Sequence, residues 1–181
     1  MGHPISHLPW ALPDKVKSRL PNGNELLIRG VNSSDMPELS QIYVRAYEKN
    51  GADEKWTPGS AHKLLESLHH TKPGLSLVAE IDGKIVGATF GNIRPWESGK
   101  VILEGKELFV DPNYQKLGIG NELLKERIHR AEVWSGANEV EIITFATTRE
   151  PKGWYERLGY KPVTELQIMS GETSEIKKRL S

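Results

Sequence analysis

Hydrophobic and polar positions follow helical or strand periods along most of the chain. Apolar residues recur at helical spacing in "NSSDMPELSQIYVRAYEK" and again in "AHKLLESLHH", which predicts two consecutive helices. Residues 74–95 instead hold two alternating apolar runs on either side of Asp82-Gly83. This dipeptide favours a type I′ turn, so the pattern predicts a β-hairpin.

The remaining periodic segments complete the predicted order of elements. Strands are predicted in "NELLIRGV", "VILEGKELFVDP", "EVEIITFATT" and "KPVTELQIMSG", and helices in "GNELLKERIHRAEVW" and "EPKGWYERLGY". The order β-α-α-β-β-β-α-β-α-β predicts an α/β (α+β) domain in which helices cover the faces of a mixed sheet. The proline-rich residues 1–24 are interpreted as an N-terminal arm or extension, and residues 25–181 as a single domain.

Composition narrows the classes of function. The 24 basic residues balance the 24 acidic ones, so no net charge favours nucleic acid or an anionic membrane as a partner. No apolar segment is long enough to span a bilayer, and the N-terminus lacks a signal-peptide core. The chain has no cysteine, and its histidines form no metal-ligand pair, so we expect no metal site. A cytoplasmic protein is the simplest interpretation.

Two glycines precede the third predicted helix in "PNYQKLGIGNELL", which runs from residue 112 to 124. A strand, a glycine-rich turn and a helix N-terminus together form an anion site, because the first helical amides lack partners. Neither common nucleotide-binding motif is present in this stretch. The dinucleotide fingerprint would need a glycine where Leu123 stands, and a P-loop would need Gly-Lys before Ser or Thr. A plain tight turn is the alternative to an anion site.

The longer stretch "ELFVDPNYQKLGIGNELL" resembles the acyl-CoA loop of the GNAT superfamily of N-acyltransferases. The family pattern places a strand of the type V-x-P before Q/R-x-x-G-x-G/A, and here Val110 and Pro112 precede Gln115, Gly118 and Gly120 at that spacing. A second family element, aromatic-Tyr-Glu-x-x-Gly-aromatic, matches "WYERLGYKPV" downstream. The resemblance covers residues 26–169 and implies a GNAT fold. Such a fold has a mostly antiparallel sheet of about six to seven strands, flanked by about four helices.

The resemblance implies acetyl-CoA as co-substrate and assigns residues to it. Backbone amides from Gln115 to Gly120 would hold the pyrophosphate, and the edge of the preceding strand would bond the pantetheine arm. Thr148 stands where many relatives carry an asparagine that bonds pantetheine. The implied cofactor-binding residues are Phe109, Val110, Gln115, Lys116, Leu117, Gly118, Ile119, Gly120, Asn121 and Thr148.

Transfer of an acetyl group to an amine needs a base, an oxyanion donor and an acid. By resemblance Tyr155 is the acid that protonates the leaving thiolate, and the Val110 amide is the oxyanion donor. Glu107 is the favoured base and Glu104 the alternative. Residues three apart on a strand face opposite sides, so at most one of them should point into the cleft unless a bulge intervenes. Both could also be ordinary strand-edge carboxylates.

The acceptor site is expected where carboxylates and tryptophans gather in the loops, and its candidates are Glu54, Trp56 and Trp96. Carboxylates with aromatic walls suit a cationic amine such as a polyamine, an aminoglycoside or a protein amine. A polar loop with packed tryptophans is the alternative. The sequence therefore predicts an N-acetyltransferase, and a homodimer is expected by analogy of fold. A non-catalytic acyl-CoA-binding regulatory module of the same fold is the second hypothesis.

Overall fold

The computed structural model describes residues 12–50, 54–146 and 150–180, without the side chain of residue 50. These residues form two compact units, Met1–Ile143 and Thr144–Ser181. The first unit contains the sheet and three helices, and the second contains two short helices. Thr148, a predicted cofactor-binding residue, lies outside the described residues.

A six-stranded sheet in the order β1-β2-β3-β4-β5-β6 organises the first unit. The strands are β1 Lys15–Arg19, β2 Glu25–Gly30, β3 Leu77–Ile81, β4 Lys84–Pro95, β5 Val101–Val110 and β6 Glu139–Ile142. Neighbouring strands run antiparallel, except that β5 and β6 are parallel. The predicted α/β fold with a mixed, mostly antiparallel sheet is confirmed.

Helices cover both faces of this sheet. In the first unit they are α1 Met36–Asn50, α2 Pro58–Thr71 and α3 Ile119–Ser135. The second unit separately contains α4 Lys152–Arg157 and α5 Thr173–Leu180. Apolar residues of α1 and α2 pack with Val78, Ala88 and Phe90 on one face. The start of α3 packs with Leu77, Ala79 and other residues on the opposite face. Alternation along β3 therefore gives the sheet two buried faces.

Two local predictions depend on turn geometry, and both are confirmed. Asp82 and Gly83 have φ angles of 51° and 72°, as a type I′ turn requires, and they join β3 to β4. In the second unit the predicted short helix is α4, and Gly159 follows it with a φ of 94°. Glycine suits that position because it adopts left-handed backbone angles without a Cβ clash.

The chain ends differ from the predicted pattern. The last predicted strand is wrong, because residues 161–171 form no strand in the described structure and the final helix α5 follows them. Val163, Leu166 and Ile168 in that segment are exposed. Alternation alone does not hold a strand without a partner ladder. β6 is also shorter than predicted, and Ile143 beyond it is exposed.

The N-terminal stretch contains a strand that periodicity did not indicate. β1 pairs with β2 along its whole length, from Lys15 opposite Arg29 to Arg19 opposite Glu25. The exposed side chains of this edge strand are charged, which hides its strand character in the sequence. The predicted division into residues 1–24 and 25–181 stays a prediction.

Candidate active site

A β-bulge interrupts the pairing of the two longest strands. Glu107 on β5 lies opposite Phe90 on β4, but the next pair joins Gly105 to Gly91. Lys106 therefore has no partner on β4 and is the extra residue of the bulge. An extra residue bends the strand and reverses the faces of the residues beyond it.

This bulge brings the two candidate bases to one face of the sheet. Glu104 lies opposite Asn92, and Glu107 lies opposite Phe90. Phe90 and Asn92 are two residues apart on β4, so they share a face, and cross-strand partners share that face with them. At most one glutamate was expected to face the cleft unless a bulge intervenes, and this exception applies because the bulge is present.

Beyond the bulge, β5 pairs with a strand on one side only in the described chain. β6 pairs with β5 only from Ile102 to Gly105. Residues 107–110 pair with β4 on one side, and within the described chain no strand pairs with their other edge. Phe109 and Val110, predicted to bond the pantetheine arm, lie in this stretch. An open strand edge offers backbone donors and acceptors to an extended ligand.

Glu107 is half-buried against helix α1. The hydroxyl of Tyr47 donates a hydrogen bond of 2.9 Å to Oε2 of Glu107. Burial raises the pKa of Glu107 to about 7, and the nearby carboxylate of Glu54 adds to the rise, whereas the Tyr47 bond opposes it. A carboxylate with this pKa takes up and releases a proton near neutral pH.

Four aromatic rings pack together beside this carboxylate, and we call them the aromatic cluster: Tyr43, Tyr47, Trp56 and Phe109. The Tyr43 ring stacks on Tyr47 at 4.4 Å between centroids, and meets Trp56 and Phe109 edge-on at 5.1 Å each. The indole Nε1 of Trp56 donates to Glu54 at 2.8 Å. Two predicted acceptor residues, Glu54 and Trp56, therefore lie next to Glu107.

The two tyrosines of the cluster were not predicted as site residues. Tyr43 and Tyr47 are four residues apart on α1, where their spacing is typical of a buried helix face. Tyr43 is fully buried, and its hydroxyl, like that of Tyr47, favours the ionised form of Glu107 and lowers its pKa. The only sequence signal was the pair of hydroxyl groups on an otherwise apolar face.

Glu104 has a different environment from Glu107. Arg94 Nε lies 2.8 Å from its carboxylate and Lys106 Nζ lies 3.0 Å from it, while the Asn92 amide donates at 3.3 Å. Burial would raise the pKa of Glu104, but hydrogen bonds from Lys106, Arg94 and Asn92 outweigh it and hold the pKa below its usual value. Glu104 is thus a paired, ionised carboxylate at neutral pH.

Trp96 is not part of the aromatic cluster. It follows the end of β4 and is 52% exposed, with the guanidinium of Arg94 lying 4.5 Å from its ring centroid. No hydrogen bond or ring contact in the described residues joins Trp96 to Glu54 or Trp56. The geometry groups Trp96 with the Arg94–Glu104 pair instead.

The glycine-bearing loop between β5 and α3 has left-handed backbone at two positions. Lys116 has a φ of 65°, and Gly118, which caps α3, has a φ of 91°. The Gln115 side chain donates to the Val110 carbonyl at 3.2 Å, which fixes the start of the loop to β5. Left-handed backbone turns successive amides toward one concave side, as in known anion-binding loops.

The side chains of this loop point into the core at its helical end. Ile119 is buried, and Leu117 packs against the same cluster beneath the sheet. Gly120 and Asn121 lie in the first turn of α3, at the positive end of the helix dipole. Loop and helix therefore present backbone amides and partial positive charge at one end of the unpaired β5 edge.

Helix α1 also contacts the turn that precedes this loop. Arg45 Nη2 lies 2.5 Å from the Asp111 carboxylate, and Lys49 donates to the Pro112 carbonyl at 3.2 Å. Burial would raise the pKa of Asp111, but the bonds from Arg45 and the Asn113 amide hold it below its usual value. One helix therefore fixes both the Glu107 environment and the start of the glycine-bearing loop.

The candidate acid lies in the second unit. Tyr155 is on α4, and its ring lies 4.7 Å from that of Trp154 and 5.3 Å from that of Tyr160. The Tyr155 amide donates to the Pro151 carbonyl at 3.2 Å. These contacts fix the Tyr155 ring on α4.

Comparison with known proteins identifies the family. The model of the Acetyltransferase (GNAT) domain matches residues 72–162, half of the chain, and the chain belongs to this family. It is similar to an uncharacterized N-acetyltransferase of Methanocaldococcus jannaschii, with 27% identity over 83% of this chain. The chain spans 66% of the length of that relative. A second uncharacterized N-acetyltransferase of that organism is 26% identical over 75% of this chain and 78% of its own length.

Solved structures share the fold at low identity. An integron cassette protein from V. cholerae has a TM-score of 0.67 and 16% identity, over 86% of this chain and 97% of its own. An aminoglycoside N-acetyltransferase in complex with CoA has a TM-score of 0.62 and 20% identity, over 84% and 98%. A predicted acetyltransferase with acetyl-CoA from Clostridium acetobutylicum has a TM-score of 0.63 and 14% identity, over 80% and 96%. No described helix is long and apolar enough to cross a membrane.

Proposed function

We propose that this protein transfers the acetyl group of acetyl-CoA directly to a primary amine. The observation that carries the proposal is Glu107, a half-buried carboxylate with a pKa of about 7, placed at the start of an unpaired strand edge and beside the aromatic cluster. General bases work best when their pKa lies near the working pH. The family supplies the class of reaction, and Glu107 supplies its base.

The proposed reaction has one tetrahedral intermediate and no acyl-enzyme. Glu107 takes a proton from the ammonium of the acceptor, whose free pKa of ~10.4 keeps it protonated in water. The amine nitrogen then attacks the thioester carbonyl, and the Val110 amide stabilises the oxyanion. Collapse of this intermediate breaks the carbon–sulfur bond, and the nitrogen loses its second proton to water as the amide forms. Tyr155 protonates the CoA thiolate and regains its proton from water.

Acetyl-CoA is proposed to bind along the loop and the open strand edge. The amides from Gln115 to Gly120 and the start of α3 would hold the pyrophosphate, since the left-handed angles at Lys116 and Gly118 turn amides to one side. The unpaired edge at Phe109 and Val110 would bond the pantetheine arm. Two structural relatives contain CoA or acetyl-CoA, which supports this co-substrate.

The acceptor is proposed to be a small cationic amine or a protein amine. Rings of the aromatic cluster offer cation–π contact, and Glu54 offers a charge that complements an ammonium. Glu54 is exposed and bonded to Trp56, so it lies at the open side of the cluster. A cytoplasmic location and a homodimer are expectations from the sequence and stay predictions.

The test is release of free thiol from acetyl-CoA across a panel of polyamines, aminoglycosides and lysine peptides. The chain contains no cysteine, so the protein adds no thiol signal of its own. Amine-dependent release that Glu107→Gln lowers at least about a hundredfold supports the proposal. Acetyl-CoA binding without release for any amine would contradict it and favour the non-catalytic regulatory module.

A further inference from the structure

The buried arginine of α3, Arg127, contacts the strands at the bulge. Only 1% of this residue is exposed. Its Nη1 donates to the carbonyl oxygens of Phe90 at 3.0 Å and Glu107 at 3.2 Å. The same nitrogen also bonds the Thr89 hydroxyl, which in turn donates to the Glu107 carbonyl at 3.0 Å. Phe90 and Glu107 are the cross-strand pair that borders the bulge.

Two glycines make room for this side chain. A Cβ on Gly105 would lie 2.8 Å from Nη2 of Arg127, and a Cβ on Gly91 would lie 3.1 Å from its Cδ. Gly91 and Gly105 are themselves cross-strand partners on the other side of the bulge. The guanidinium therefore occupies a space that exists because both positions lack side chains.

The bulge explains why a charged group is placed there. An extra residue disrupts the ladder locally, and a buried carbonyl left without a donor costs free energy. A guanidinium satisfies several carbonyl groups through charge-assisted bonds in a fixed plane. A buried arginine is itself unfavourable unless its donors are used, so its contacts and the bulge stabilise each other.

We propose that Arg127 is a positioning residue that holds the β-bulge and thereby directs the Glu107 carboxylate toward the aromatic cluster. This inference rests on the proposed function, in which Glu107 is the base. Arg127 acts from the α3 face of the sheet, whereas the Glu107 side chain contacts Tyr47 on α1. Arg127 bonds the backbone carbonyl of Glu107, so its influence on the reaction passes through the geometry of β5.

The test compares Arg127→Met with wild type in kcat, KM and the pH profile of kcat/KM. We expect kcat to fall about tenfold to a hundredfold, since small displacements of a catalytic group have effects of that size. KM for acetyl-CoA should change little. The acidic limb of the pH profile should move from about pH 7 to lower pH, because a displaced Glu107 becomes more exposed to solvent.

Arg130→Met is the matched control. Arg130 is also a buried arginine of α3, but it bonds Glu126 at 2.7 Å and the Pro13 carbonyl at 3.1 Å, and it donates no hydrogen bond to β5. Its loss should lower the unfolding temperature without moving the pH profile. If Arg127→Met does not fold, Thr89→Val is the deciding variant, because it removes one donor to the Glu107 carbonyl.

The outcomes separate this inference from the proposed function. An unshifted pH profile in folded Arg127→Met, or in Thr89→Val where the first variant does not fold, overturns the positioning role. If Glu107→Gln remains fully active, the proposed base is wrong and this inference fails with it. If Glu107→Gln is inactive and the deciding variant keeps the wild-type profile, only the positioning role fails.

Discussion

The hydroxyl of Tyr47 on α1 donates a 2.9 Å hydrogen bond to the carboxylate of Glu107 on β5. This bond joins the first helix of the chain to the strand that carries the candidate base. It also opposes the burial that raises the pKa of Glu107 to about 7. Together these two effects set the pKa of Glu107 near 7. Removing one neighbour should therefore shift the pH dependence of the reaction measurably.

Removing this bond should make Glu107 harder to ionise. In Tyr47→Phe the ring keeps its stacking on Tyr43, but the donor that stabilises the carboxylate is lost. We expect the pKa of Glu107 to rise further, so the acidic limb of kcat/KM should move above about pH 7. The pH profile of kcat/KM, measured with the amine well below saturation, reports this shift.

Glu54→Gln should shift the pKa of Glu107 in the opposite direction from Tyr47→Phe. The Glu54 carboxylate raises the pKa of Glu107, so its neutralisation should move the acidic limb to lower pH. The same change should raise KM for a cationic amine, because one complementary charge is removed. If both variants shift the profile in the same direction, electrostatic control of Glu107 by these neighbours is contradicted.

The raised pKa of Glu107 should make wild type less stable than Glu107→Gln above neutral pH. A group whose folded pKa is about 7 and whose ordinary value is 4.5 stabilises the fold below pH 4.5, and that contribution is lost as pH rises through 7. Glu107→Gln lacks this titration. We expect it to be more stable than wild type at pH 8 by up to about 3 kcal/mol, with the difference vanishing near pH 4.

Glu104→Gln is the control for Glu107→Gln, because the pKa of Glu104 is shifted in the opposite direction. The pKa of Glu104 is lowered in the folded state, so its stabilisation is present above its ordinary pKa of 4.5 and lost as pH falls through the folded value. This variant should be less stable than wild type at pH 8. Urea unfolding of both variants at pH 4 and pH 8 measures the free energies. Equal stabilities of Glu107→Gln and wild type at pH 8 would contradict the burial of an ionisable base.

Gly118 should be required for its backbone angle and not for lack of space. An added Cβ would lie no closer than 3.5 Å to Pro21, but the φ of 91° is strained for any residue with a side chain. Gly118→Val should therefore abolish detectable acetyl-CoA binding by calorimetry, because relief of the strain turns the loop amides away. Gly59→Ala is the control, since Gly59 lies in α2 with open space around it. Normal affinity in Gly118→Val would contradict the proposed phosphate loop.

Sequence reasoning succeeded where a few adjacent residues determine the conformation. Asp82 and Gly83 define their turn through their own φ preferences, and Gly159 ends α4 for the same reason. The glycine-bearing loop lies between a strand and a helix as expected, because its left-handed positions and the start of α3 fall within residues 116–119. Its role in binding stays a prediction. Such features are encoded locally and are visible in a single sequence.

Features that depend on distant contacts could not be predicted. The bulge at Lys106 depends on Arg127, twenty-one residues later, and on the glycine of another strand, so no local pattern marks it. Tyr47 has the spacing of a core residue, and only the fold places Glu107 beside it. The final predicted strand failed because its alternating pattern has no partner strand in the described chain.

Tyr155→Phe, which removes the hydroxyl oxygen, tests whether Tyr155 is the acid. Its ring packs against Trp154 and Tyr160, contacts that Tyr155→Phe retains. If its hydroxyl protonates the departing thiolate, turnover should fall at least about tenfold while acetyl-CoA affinity stays unchanged, since general acids act in the transition state. Tyr160→Phe removes the same atom from the neighbouring ring and should keep its turnover. Full turnover in Tyr155→Phe would assign the proton to another donor, and equal losses in both variants would indicate a packing effect instead of acid catalysis.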